Sequence, residues 1–241
     1  MKIIIAGYGR MGHEIEKTAI QRGHLIAAIY DTQDDWKKKP VPEADVVIEF
    51  TAPDIAPELI LSCLNMGIPV VSGTTGWNDK IDTIKEVALR NARTFFYASN
   101  YSIGVNIFYK INRQLATFLC NMQNYEVNIH EIHHIHKKDA PSGTAITLAN
   151  QILENCRRFK SWSFENKKNN SIEISSARVG EVPGTHIINW ESEIDSIEIK
   201  HTSHNRQGLA LGALLAAEWI QGKTGVFGME DLLSEVTTRN N

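Results

Sequence analysis

Cysteine is scarce in this chain: three occur among 241 residues, Cys63, Cys120 and Cys156. An odd number without zinc-type spacing argues against a disulfide framework and suits buried thiols in a reducing interior. Long apolar runs are also missing. The opening Ile3-Ile4-Ile5-Ala6 is too short for the apolar core of a secretion signal and passes straight into glycines and Arg10, and no later stretch is long enough to span a membrane. A cytoplasmic protein without a membrane partner is the expectation. Charge of one sign is lacking too: the formal net charge is −3, which offers no electrostatic case for nucleic acid. No internal repeat or low-complexity tract is found. What remains, 42% hydrophobic and 22% charged, is ordinary globular composition, and the length allows two modest domains with a core each.

The first hundred residues alternate strands and helices. Lys2 to Ala6 is a continuous apolar run, followed by Gly7-Tyr8-Gly9-Arg10-Met11-Gly12 and then by Met11, Ile15 and Ala19 near helical spacing. Strand, glycine turn and helix in that order give the G-x-G-x-x-G pattern its proper context. Gly7 permits a tight turn, Gly9 lets the backbone approach a pyrophosphate, and Gly12 allows the helix to pack closely on the strand. A second strand, Leu25 to Ile29, ends near Asp31, where an acidic residue meets the adenosine ribose. Asp34 to Pro42, with Lys37, Lys38 and Lys39, reads as a loop. Strands at Ala44 to Phe50, Ile68 to Ser72 and Thr94 to Ala98, with helices at Pro57 to Asn65 and Asp79 to Asn91, complete a parallel, doubly wound sheet. Its ligand should lie beyond the carboxyl ends of the strands, at Gly7 to Gly12, Asp31, Phe50-Thr51, Gly73 to Thr75 and Ala98 to Tyr101.

A helix from about Val105 to Asn121 leads into a second region. Tyr125, Val127 and Ile129 alternate with polar residues as a half-buried strand does, and Ala145, Leu148, Ala149 and Ile152 recur at helical spacing. Between them stands Glu131-Ile-His-His-Ile-His-Lys-Lys-Asp-Ala-Pro-Ser-Gly-Thr-Ala145. A helix start beyond Pro141-Ser142-Gly143-Thr144 exposes amides suited to an anion, Lys137 and Lys138 add positive charge, and the imidazoles can exchange protons. The combination suits a small carboxylate substrate. Glu131, His133, His134 and His136 are all potential metal ligands, yet strand alternation separates His133 from His134 and no nearby cysteine completes the set, so no metal is expected. Cys156 to Ser171 reads as polar and irregular, anchored by Trp162 and Phe164. Strands at Ile172 to Arg178, His186 to Trp190 and Ser196 to His201 follow, then an Ala/Leu-rich helix from Arg206 to Ile220 and a tail from Gly225 to Leu233 that returns to the first domain.

The Glu131 to Ala145 stretch closely resembles the signature of the 4-hydroxy-tetrahydrodipicolinate reductase family. Gly7 to Gly12, Phe50-Thr51, Gly73 to Gly76, Ala98 to Tyr101, Gly104-Val-Asn106, Val182 to His186 and Gly228 to Asp231 occur in that family's order. The resemblance implies an oxidoreductase of lysine and diaminopimelate biosynthesis that uses NADH or NADPH, acts on a small dicarboxylate and assembles as a homotetramer. It makes His133 the general acid/base and Lys137 the proton donor, with His134, Ser142, Gly143 and Thr144 on the substrate. It assigns Gly7, Tyr8, Gly9, Arg10, Met11, Gly12, Gly73, Thr74, Thr75, Ala98, Ser99, Asn100 and Tyr101 to the nicotinamide nucleotide, beside Asp31. The expected fold is α/β, a Rossmann-type doubly wound sheet at 1–102 and 207–241 plus a smaller α+β substrate and oligomerisation domain at 103–206. The rivals are another nicotinamide oxidoreductase, which would lack the His-His-x-His-Lys turn, a non-catalytic nucleotide sensor, which would lose the proton-transfer groups, and a zinc hydrolase.

Overall fold

A computed structural model of the chain describes residues 1–31, 41–122, 124–166 and 168–238. In chain order the elements are β1 (Lys2–Ala6), α1 (Arg10–Gln21), β2 (Leu25–Tyr30), β3 (Val46–Glu49), α2 (Ala56–Asn65), β4 (Val70–Ser72), α3 (Asn78–Arg90), β5 (Thr94–Tyr97), α4 (Ile103–Leu119), β6 (Glu126–His133), α5 (Gly143–Asn155), β7 (Ser161–Phe164), β8 (Ser171–Arg178), β9 (Gly184–Glu191), β10 (Ser196–Ser203), α6 (Gln207–Trp219), β11 (Gly225–Phe227) and α7 (Met229–Thr238). They divide into two units, Met1–Ile103 with Arg206–Asn241, and Gly104–Asn205.

The first unit is built on a six-stranded sheet in the order β11-β5-β4-β3-β1-β2, with all its pairings parallel. A parallel strand covered on both faces has no wet side, which is why β1 and β3 read as unbroken apolar runs. Alternate residues of β1 serve opposite faces: Ile3 and Ile5 join Ile15, Ala19 and Leu214, whereas Ile4 and Ala6 join Leu59, Ile60 and Phe95. Helix α6 buries Ala210, Gly212, Ala213, Leu214, Ala216 and Ala217. A Cβ at Gly212 would lie 1.8 Å from the Tyr101 carbonyl oxygen, so this helix comes down on backbone. The strand series does not end at Thr94–Tyr97 as the alternation suggested. Gly225–Phe227 returns as a sixth strand, paired with β5 along the sheet edge. The lysine cluster at 37–39, and most of the loop expected around it, lie outside the described residues.

The second unit carries a five-stranded mixed sheet, β10-β9-β6-β8-β7, with β6 antiparallel to β9 and parallel to β8. Helices α4 and α5 cover one face, where Phe108, Ala116, Leu148, Ala149 and Ile152 pack on Val127, Ile129, Ile174 and Trp190. The doubly wound sheet and the smaller α+β unit are those expected. Two local expectations are corrected. Ser161–Phe164, inside the stretch read as irregular, is a strand parallel to β8, because Trp162 and Phe164 pack on the second core. Cys120 and Cys156 are not free thiols: they form a disulfide, with Cα–Cα 5.0 Å. One follows α4 and the other caps α5, and a sequence separation of 36 conceals that these helix ends adjoin. Cys63 is a buried thiol, which burial, with help from the Glu49 charge, pushes up to about 12.

Candidate active site

In the first unit the expected segments meet at the carboxyl ends of the strands. Gly7 turns at φ +91° and donates its N–H to the Tyr30 carbonyl at 2.8 Å, which sets Asp31 beside the turn. A Cβ on Gly7 would lie 2.0 Å from the Phe50 oxygen, and one on Gly12 would lie 2.3 Å from the Gly7 oxygen, so both glycines exist for close backbone approach. Gly9 differs. It caps α1 with no side-chain hydrogen bond, the first turn of α1 holds no acidic residue, and a Cβ there would meet nothing within 4 Å. Open space beside a helix N-terminus is what a pyrophosphate requires, and these residues therefore fit a dinucleotide.

Beyond β3 and β4 the organising residue is one that sequence reasoning missed. Glu49 is fully buried and accepts from the Thr51 N–H (2.7 Å), the Ser72 hydroxyl (2.6 Å) and the hydroxyls of Thr51 and Thr74. One carboxylate thereby ties the loop after β3 to the loop after β4. Tyr101 is 1% exposed and donates its hydroxyl proton to the Ser72 carbonyl, Ala98 is also buried, and Ser99 and Thr75 are exposed. Tyr8, Arg10 and Met11 flank the Gly9 opening; Tyr8 donates to Glu16 and lies against the His13 ring. Asn100 accepts from the Ser102 N–H at 2.9 Å.

In the second unit β6 runs from apolar to polar along one face: Val127 and Ile129 are buried, and so are Glu131 and His133 beyond them. Register brings the partners. In the β6 and β8 ladder His133 stands opposite Arg178, and in the β6 and β9 ladder Glu131 stands opposite His186. Glu131 is wholly buried and accepts from the Ser142 N–H at 3.0 Å and from the Ser176 hydroxyl, with Arg178 Nη2 at 3.5 Å. His133 Nδ1 lies 3.6 Å from Glu131 Oε2, beyond hydrogen-bond length, and is buried without a partner. His186 Nε2 is 3.0 Å from Ser142 Oγ and 3.7 Å from Glu131 Oε2.

The turn between β6 and α5 is also tied down. Arg178 donates to the carbonyls of Asp139 (2.8 Å) and Lys137 (3.3 Å), and Val179 N–H donates to the His133 carbonyl. Lys137 Nζ is held by both Asp139 oxygens at 2.8 Å. His136 stands apart, in an exposed pair with Glu181, while His134 keeps a buried, unpartnered Nδ1. Ser142, expected on the substrate, is engaged within the chain as well. Its N–H serves Glu131, its Oγ caps α5 by accepting from Ala145 N–H, and it is 3% exposed. Gly143 is exposed and Thr144 half-buried at the same helix start.

The charges follow from this geometry. Burial alone would raise the Glu131 carboxyl, but the His186 imidazole 3.7 Å away and the hydrogen-bonding groups of Ser142 and Ser176 hold it well below the usual carboxylate range. Burial drives the His133 imidazole down to about 4, against the pull of Glu131 and with the push of His186, Lys137 and Arg178. Glu131, His133 and His186 are the group with metal-ligand spacing found among the described residues. Their donor chemistry does not suit a cation, since the carboxylate is engaged by an amide and a hydroxyl and an arginine lies at 3.5 Å. A Ser-His-Glu nucleophile is ruled out as well, because Ser142 and Glu131 approach the same ring nitrogen of His186.

A stability prediction follows. His133 resists protonation when folded, so its contribution is complete above its ordinary 6.5 and erodes between there and about 4. Glu131 has the opposite charge type and the same sense: its contribution is present above the ordinary 4.5 and is lost as pH falls further. The Tm should decline from pH 6.5 downward, and His133→Gln should flatten the upper part of that decline. A Tm that is level from pH 6.5 to 4 in the unmodified protein would contradict the argument.

Comparison with known proteins is decisive on family. The models for the N-terminus and the C-terminus of dihydrodipicolinate reductase match residues 1–101 and 104–233. A 4-hydroxy-tetrahydrodipicolinate reductase of Christiangramia forsetii is 45% identical over 98% of this chain and 99% of its own length. One from Clostridium novyi is 32% identical over 96% of this chain and 98% of its own. Among solved structures, a dipicolinate-bound dihydrodipicolinate reductase from Paenisporosarcina sp. covers 96% of this chain and 98% of that one at TM-score 0.79; at 24% identity that likeness is one of fold. With strand, glycine turn and helix at one end and the Glu131 to Thr144 turn at the other, the chain belongs to the dihydrodipicolinate reductase family, oxidoreductases that use NADH or NADPH.

Proposed function

We propose that this chain reduces 4-hydroxy-tetrahydrodipicolinate to tetrahydrodipicolinate, in the cytoplasm, as a step of lysine and diaminopimelate biosynthesis. The observation that carries the reading is the succession of a buried imidazole at the end of β6, a lysine in the turn that follows and the N-terminus of α5. The first unit holds the dinucleotide, through Gly7 to Gly12, Asp31, Gly73 to Thr75 and Ala98 to Tyr101. NADH or NADPH supplies, when bound, the hydride for ring C4. The rest falls to side chains of the second unit. His133, kept neutral by burial, removes the ring proton beside C4 and passes it to the departing hydroxyl, which leaves as water, so the imidazole ends neutral. Lys137 returns a proton to the enamine carbon beside C4, which requires the ammonium to exchange its Asp139 contact for substrate. The Gly143 and Thr144 amides, with His134, receive the carboxylates. The test is oxidation of NADH or NADPH with substrate generated in place by the synthase that precedes this step. Failure with both cofactors, in the presence of confirmed substrate, refutes the assignment.

Cofactor choice rests on Asp31, which directly follows β2 and is exposed. A carboxylate there accepts from an unphosphorylated ribose and repels a 2′-phosphate. NADH should work at least as well as NADPH, and Asp31→Ala should shift the ratio of kcat/KM values toward NADPH. A strong NADPH preference in the unmodified enzyme would contradict this.

Assembly as a homotetramer is supported by the second sheet, whose helix-free face carries His130, Ile132, Ser175, Ile187 and Asn189 only half-buried. Light scattering at micromolar concentration should give a tetramer mass; a stable monomer would overturn the proposal.

A further inference from the structure

We infer that Glu131 is the positioning residue for His133, fixing the ring so that Nδ1 keeps its hydrogen toward the carboxylate and Nε2 is the atom presented to substrate. This rests on the reading above, in which His133 exchanges protons with the ring. Glu131 and His133 are two residues apart on β6 and therefore share a face. The carboxylate cannot swing: Ser176 and Arg178 approach Oε1, while the Ser142 N–H holds Oε2 at 3.0 Å. Its direction is set by β8 and by the N-cap of α5, and Oε2 faces His133 Nδ1 across 3.6 Å. That nitrogen is buried with no other partner, so the carboxylate is the acceptor within reach when the gap closes. At the opposite nitrogen the chain makes room. A Cβ on Gly184 would stand 3.1 Å from His133 Nε2, and glycine leaves that approach clear.

The charged and titratable groups facing the ring come from every neighbouring element: Glu131 on its own strand, Arg178 on β8, His186 on β9, packed edge-on at 5.1 Å, and Lys137 in the following turn. Arg178 and Lys137 disfavour a second proton on His133, and Glu131 is the group that opposes them. Fixing the tautomer of a neutral imidazole is the task a buried carboxylate performs beside a histidine base.

The test compares Glu131→Gln with His133→Ala in the full-length enzyme, reading kcat, NADH affinity by calorimetry, and the His133 tautomer by nitrogen-15 NMR. Glutamine keeps the shape and an acceptor but removes the charge. The expected result is a kcat loss of about 10²-fold, unchanged NADH affinity, and a change from the Nδ1–H tautomer to a mixture. If His133→Ala turns over normally, the reading of the site itself falls. If His133→Ala is crippled while Glu131→Gln retains kcat, or loses kcat with the Nδ1–H tautomer intact, the positioning role is overturned and the site reading stands. Should Glu131→Gln fail to fold, Ser176→Ala removes the hydroxyl at Oε1, leaving Arg178 there, without altering charge. It should move tautomer and kcat in the same direction by a smaller factor, and no movement in either overturns the proposal.

Discussion

Alanine at His133 or at Lys137 should lower kcat by about 10²–10⁴-fold while NADH or NADPH still binds, the range expected for a side chain that moves a proton in the rate-determining chemistry. His133 ends β6 and Lys137 lies in the turn that follows, both in the second unit, whereas the glycine turn and Glu49 lie in the first. Binding and turnover are therefore expected to separate. The two variants should also differ from each other. His133 is 7% exposed, so its removal leaves a void beside Glu131 and exposes the carboxylate to a changed set of partners, with some loss of stability. Lys137 reaches only Asp139 and is partly exposed, and its loss should cost little stability. Single-turnover measurements with saturating cofactor check this directly. Near-normal turnover in either variant removes that residue from the mechanism, and a parallel loss of cofactor affinity would mean that the variant is disturbed beyond its own turn.

The legible part of this molecule was whatever obeys a short period. The apolar runs of β1 and β3, the alternation along β6 and the helical spacing of α5 each depend on neighbours within a few residues, and so does a glycine turn between a strand and a helix. What could not be read depends on register between distant strands. Arg178 and His186 are ordinary polar residues in sequence, and they enter the site because β8 and β9 flank β6 in particular registers. The alternation of β6 held a signal for Glu131 that would have served: a carboxylate on the buried face must find donors, and the glutamate two residues before His133 is on that face. Glu49 gave the same signal at the end of β3, inside an otherwise apolar strand. The Ser142 N–H on Glu131 is one of those donors. The Cys120–Cys156 pairing had no local signature, and neither had the pairing of β11 with β5, although the tail was expected on the first domain.

Substitutions in the glycine turn should divide by what a single Cβ meets. Gly7→Ala places a methyl 2.0 Å from the Phe50 oxygen at a residue whose φ is +91°. The left-handed backbone costs an alanine about 1–2 kcal/mol, and the overlap with backbone cannot be relieved by a rotamer change, so the sum should reach about 3 kcal/mol or more. At roughly 2–4 °C of Tm per kcal/mol, that is a drop of roughly 6–12 °C. Gly12→Ala, with its methyl 2.3 Å from the Gly7 oxygen, should follow in direction, because α1 must lift from the turn. Gly9→Ala should behave oppositely. Its φ is −79°, which alanine adopts freely, and its Cβ would meet nothing within 4 Å. Stability should stay within about 0.5 kcal/mol of the unmodified chain, yet the methyl would stand at the opening where the helix amides are free, and dinucleotide affinity should fall at least about tenfold. Thermal unfolding and calorimetric titration with NADH, run on the three variants side by side, separate the two costs. Unchanged NADH affinity in Gly9→Ala would mean that the pyrophosphate is seated elsewhere, and an undiminished Tm in Gly7→Ala would mean that the segment carrying Phe50 yields without resistance.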